Sequence, residues 1–89
     1  MNYWSSDLGF RSAGAVVEVS LTGNAANVML VDSSNLTSYK AGQSFRYTGG
    51  HYTRSPVRLA TPSPGHWYVL IDYGGAVGSG TASVRVLSG

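Results

Sequence analysis

Between Ala15 and Thr22 the chain alternates: Val17, Val19 and Leu21 fall on one side, Glu18, Ser20 and Thr22 on the other. A period of two predicts a half-buried strand. Gly23-Asn24 follows, a pair suited to positive φ, and then the apolar run Ala26–Asp32. That spacing predicts a second strand folded back on the first as a hairpin. Ser33–Gln43 loses the alternation. Ser33 or Ser34 as a cap, Leu36 and Tyr39 three residues apart, and Gly42 as a stop predict one short helical turn.

Ser44–Thr48 reads as a short strand ended by Gly49-Gly50. Ser55–Thr61 reads as another, with Val57 and Leu59 inward, Arg58 outward, and Pro56 at the start, where its missing N–H does no harm. Ser63-Pro64-Gly65-His66 fits a type II turn. His66–Tyr73 is the most apolar run and predicts a central strand, with Trp67, Val69 and Ile71 sharing the core face. A glycine-rich connection, Gly74–Gly80, leads to a last strand, Thr81–Ser88, with Val84 and Val86 inward and Arg85 outward. Asn2–Leu8 offers one more strand. About seven short strands with turn signals every 8–12 residues predict an all-β fold: one small, jelly-roll-like β-sandwich domain over residues 1–89.

Composition narrows this reading. Charged residues are 11% of the 89, well below the usual quarter, and there are 12 glycines, which suits a turn-rich β domain. The chain has no cysteine, so disulfides and thiolate zinc sites are excluded and a reducing compartment is favoured. The N-terminus lacks a basic leader with an apolar core, and no run approaches about 18 apolar residues. A cytoplasmic protein is expected.

The search for catalytic chemistry yields little. There is no G-x-S-x-G elbow, and the histidines and acids show no paired-ligand spacing for a metal. The glycine-rich stretch lacks the lysine and helix of a phosphate loop. Asp7, Glu18, Asp32 and Asp72 read as solvated or turn-capping acids. No enzyme activity, cofactor, metal or catalytic residue is predicted.

The charge distribution is more informative than the net charge of +2. Between Ser33 and Ile71 there is no acid, while Lys40, Arg46, Arg54, Arg58, His51 and His66 all fall there, interleaved with Tyr47 and Tyr52. Arginine forks pair with anions and tyrosine faces stack on flat rings. These eight residues are the candidate site of a non-enzymatic module that binds a small anionic or nucleotide-like ligand. The basic groups are too sparse for a nucleic-acid interface. The alternative is a protein-interaction or self-assembling module with no small ligand, since aromatic and arginine side chains also enrich protein interfaces.

A set of short motifs runs through the chain in order: Gly23–Val28, Leu30, Asp32, Asn35, Tyr39, Gly42, Tyr47-Thr48-Gly49-Gly50, Ser55-Pro56-Val57, Pro62, Gly65-His66-Trp67 and Asp72-Tyr73-Gly74-Gly75. Together they resemble a small bacterial family, DUF1883, whose members have no assigned activity. The resemblance implies a compact β-sandwich of this length and carries over no catalytic residue. Chains resembling this one are also found fused to TIR-type domains, which implies a TIR-type partner and a sensing role as an expectation.

Overall fold

The computed structural model describes residues 3–23, 26–72 and 80–88. Seven strands and one helix follow each other: β1 (Tyr3–Arg11), β2 (Val16–Gly23), β3 (Ala26–Asp32), α1 (Ser33–Lys40), β4 (Thr48–Tyr52), β5 (Val57–Ala60), β6 (Gly65–Asp72) and β7 (Gly80–Ser88). They form two antiparallel sheets, a four-stranded sheet A ordered β1-β6-β3-β4 and a three-stranded sheet B ordered β5-β2-β7. The all-β sandwich expected from the alternation is the fold observed. β6 is a central strand, as its apolar run predicts, with Val69, Leu70 and Ile71 fully buried.

The predicted hairpin does not form. β2 pairs with β5 and β7, whereas β3 pairs with β4 and β6, so the chain crosses from one sheet to the other between them. The reason lies in the two strand patterns. β2 alternates and needs apolar cover on one side only. In β3, Val28 and Leu30 face the other sheet while Met29 and Val31 face away, and all four are buried. A strand apolar on both faces belongs inside a sheet covered on both sides, and only sheet A offers that. The turn at residues 24–25 and most of the glycine-rich connection, 73–79, lie outside the described residues.

The main core lies between the sheets. Leu8, Val28, Leu30, Trp67, Val69 and Ile71 of sheet A meet Val17, Val19, Val57 and Leu59 of sheet B. Trp67 belongs to this core, and its indole N–H donates to the Ser63 carbonyl at 2.9 Å. A second, smaller core sits on the outer face of sheet A, where Met29, Val31 and Leu70 pack against Leu36 and Tyr39 of α1, with Phe45 and Tyr68 at its margin.

The roof that covers this second core is built by local capping. The N-cap is Asp32, not Ser33 or Ser34: its carboxylate accepts from the Asn35 N–H at 2.9 Å. At the other end Gln43 N–H donates to Ser38 O at 2.9 Å and Gly42 N–H to Tyr39 O at 3.0 Å. With Gly42 at φ +73° this is the Schellman arrangement, the stop expected of that glycine. Two capped ends give eight helical residues rather than a single turn. The chain then crosses the outer face of sheet A from Ser44 to Tyr47 without pairing, so the strand expected at Ser44–Thr48 is displaced to Thr48–Tyr52. Gly49 and Gly50 lie within that strand instead of ending it. Gly49 has φ +138°, and a Cβ there would collide with the Val28 carbonyl oxygen, so glycine allows β4 to close on β3.

Candidate functional site

The eight candidate residues do not gather on one surface. Tyr47 and His51 lie on the outer side of sheet A, and Arg46 lines a recess beside Asn35, Ser63 and Trp67. Tyr52, one residue along β4 from His51, faces the opposite way and packs against the inter-sheet core, which removes it as a stacking platform. Arg58 is on sheet B, where its Nε donates to Glu18 at 3.0 Å. Arg54 is exposed between β4 and β5, and Lys40 is exposed in the last turn of α1, where its charge complements the helix dipole. His66 sits at the far end of β6, 2.6 Å from the Asp7 carboxylate and stacked on Tyr68 with ring centroids 5.0 Å apart. Linear nearness in the basic segment does not become nearness in space because β4 and β5 belong to different sheets.

What the fold does assemble is a pair of recesses sharing one wall. The larger, about 470 Å³, lies across the outer face of sheet A. Its floor follows the strand register: Asp72 on β6 is opposite Asn27 on β3, which is opposite His51 on β4. Adjacent strands are about 4.8 Å apart, so the three side chains form a polar row at that spacing. Its wall is aromatic: Tyr39, Phe45 and Tyr47. The rings continue from Tyr3 in a connected line, with centroid separations of 5.2 Å (Tyr3–Tyr39), 5.2 Å (Tyr39–Phe45) and 5.4 Å (Phe45–Tyr47). The first two contacts are edge-to-face, the arrangement the ring quadrupoles favour.

Wall and floor are tied together. The Tyr39 hydroxyl donates to Asp72 Oδ2 at 2.7 Å. Burial, reinforced by that carboxylate, pushes the Tyr39 hydroxyl well above the ordinary tyrosine range, so it remains a donor at any physiological pH.

The smaller recess, about 320 Å³, opens where α1 begins; Arg46, Tyr47, Thr48 and Ser63 are among its lining residues. Asn35 sets this region. Its side-chain amide donates to Asp32 at 2.8 Å, and its carbonyl oxygen accepts from the Arg46 backbone N–H at 2.7 Å. The helix cap and the segment carrying Arg46 and Tyr47 are thereby fastened at one point. The Asp32 carboxyl is held below its ordinary range, chiefly by the Asn35 backbone N–H. Tyr47, 52% exposed, is the wall common to both recesses.

The profile of one family, Domain of unknown function (DUF1883), matches residues 1–89. The chain belongs to that family. The resemblance seen in the motifs therefore holds over the whole length. Nothing matches among curated proteins or among solved structures. Several motifs that mark the DUF1883 likeness recur as parts of the site: Asp32 and Asn35 in the cap, Tyr39 and Tyr47 in the wall, Asp72 in the floor. Sequence reasoning missed Asn27, Phe45 and Asp72 as site residues. An asparagine and an aspartate at the ends of otherwise apolar strands were the available signal. Their register was not. Among the described residues no cluster of three or more potential metal-ligating side chains occurs, and no helix is long and apolar enough to cross a membrane.

Proposed function

We propose that this DUF1883 protein is a non-enzymatic binding module for a small, ring-bearing anionic ligand of nucleotide-like chemistry, held by the two recesses that meet at Tyr47. One observation carries the reading: Tyr47 is a half-exposed aromatic wall between a recess bearing an arginine and a recess with a polar floor. A flat ring stacks on Tyr47 in the larger recess, its polar edge toward Asn27 and His51. Its anionic group reaches Arg46 in the smaller one, where a guanidinium fork suits phosphate or carboxylate. Recesses of several hundred Å³ with a few convergent polar groups are the usual form of small-molecule sites.

The site is narrower than the sequence implied. Arg46, Tyr47 and His51 remain in it, Asn27 joins, and Arg54, Arg58, Tyr52, His66 and Lys40 drop out. The test is a thermal-shift and calorimetric screen against mononucleotides, cyclic nucleotides and NAD derivatives. The expected result is a ligand that raises Tm in the wild type and loses affinity in both Tyr47→Ala and Arg46→Ala. No binder, or a binder indifferent to both substitutions, overturns the reading.

A further inference from the structure

The outer face of sheet B carries an arrangement that the recesses do not use. Glu18 on β2 is directly opposite Arg58 on β5 and directly opposite Arg85 on β7. One carboxylate therefore lies at the centre of a row that spans all three strands. Arg58 Nε donates to Oε2 at 3.0 Å; Arg85 donates to Oε1 through Nε at 2.9 Å and Nη2 at 2.8 Å. Both oxygens are engaged, and Glu18 is only 6% exposed. The two arginine side chains are 65% and 71% exposed.

Glu18 grips each guanidinium by its Nε edge. Arg58 is held through Nε while its side chain remains 65% exposed, so its guanidinium is open to solvent. The neighbours on this face are uncharged: Ser20, Ala60 and Ser83 are short, and Val16 and the exposed Leu87 are apolar. Two arginines therefore stand on an otherwise uncharged face, pinned about one shared carboxylate. Of the four acids, Glu18 alone lies on sheet B, which leaves the row with one net positive charge.

We propose that this face docks an extended acidic segment of a partner protein, with acidic side chains at alternate positions engaging Arg58 and Arg85. The shape favours a strand-like partner: a three-stranded sheet presents a flat face, whereas small molecules are usually enclosed in concave pockets. The charge excludes two other occupants. One net positive charge is too little to neutralise the run of phosphates that supports nucleic-acid binding. A second copy presenting the same face sets one net positive row against another, guanidiniums against guanidiniums.

The experiment uses the full chain and a fluorescent peptide of alternating Glu and Thr, with a Gln-for-Glu peptide as control. Fluorescence polarisation is expected to show binding of the acidic peptide alone. Arg58→Lys and Arg85→Lys keep the charge and lose the fork; each is expected to weaken binding about tenfold or more. Glu18→Gln is the decisive variant. It raises the net charge, so simple attraction predicts tighter binding; loss of the shared anchor predicts weaker binding, which is the result expected here. Arg46→Ala is expected to change nothing, which separates this face from the recesses. If a variant fails to fold, the Arg Nε–H resonances of the wild type give the same answer by shifting at Arg58 and Arg85 on peptide addition. No preference for the acidic peptide, tighter binding by Glu18→Gln, or shifts confined to other arginines overturns the proposal.

Discussion

The two sheets meet solvent in opposite ways. Sheet A is roofed: α1 and the Ser44–Tyr47 crossing lie over its outer face, bury a second apolar cluster and leave recesses along the roof's edge. Sheet B has no such cluster among the described residues, and its outer face is organised by a single ion row, Arg58–Glu18–Arg85. Hydrophobic burial fixes the geometry on one side; a shared carboxylate fixes it on the other. A small domain can thus present a concave surface and a flat one without enlarging its main core.

The sharpest way to break this contrast is to cut beneath the roof. Leu70 is fully buried on the outer side of sheet A. Leu70→Ala is expected to cost about 2–5 kcal/mol in chemical denaturation, as for a true core position. Ser20→Ala, on the outer face of sheet B, is expected to stay within about 0.5 kcal/mol. Equal effects at the two positions would mean that the outer faces do not differ in kind. A smaller cut separates roof from floor. Tyr39→Phe removes the bond to Asp72 and is expected to cost about 1.5 kcal/mol, the low end for a bond to a charged acceptor, since Asp72 has another interaction to retain.

Acid titration distinguishes the faces more gently. The Glu18 carboxyl is held below its ordinary 4.5 by the hydrogen bonds of Arg58 and then Arg85. Asp7 is held below 3.8 chiefly by the Gly9 N–H and then by His66, and Asp32 below 3.8 chiefly by the Asn35 N–H. A carboxylate depressed in the folded state stabilises the fold above its unfolded value and loses that contribution as pH falls through the folded one. The urea midpoint is therefore expected to be flat above about pH 5 and to decline progressively below about pH 4. Glu18→Gln is expected to remove the sheet B share of that decline, leaving the part due to Asp7 and Asp32. A decline unchanged in Glu18→Gln would show that the ion row makes no contribution to the fold.

The strands were legible because alternation and apolar runs report burial directly: β2, β5, β6 and β7 lie close to where Val17/Val19, Val57/Leu59, Trp67–Ile71 and Val84/Val86 place them. Pairing was not legible. The Gly23-Asn24 signal indicates a reversal, but a reversal can join two strands of one sheet or step between sheets, and only the double-sided burial of β3 decides which. Glu18 shows the same limit. Its place on the polar face of β2 was plain, yet its burial depends on Arg58 and Arg85, 40 and 67 residues away in sequence. The eight candidate residues are spread over both sheets in part for that reason. A basic, aromatic segment is a property of the chain, and convergence is a property of the register.

The register also sets an order in time. β2 near the start of the chain pairs with β7 at its end, Val16 opposite Ser88, and β1 waits for β6, Tyr3 opposite Asp72. Neither sheet has its full set of strands until the last third of the chain is available. Such non-local closure places the protein among the slower folders of its size, in the millisecond-to-second range. During synthesis the long strands β1 and β2 emerge before their partners, so the nascent chain carries unpaired edges until its final strand is made.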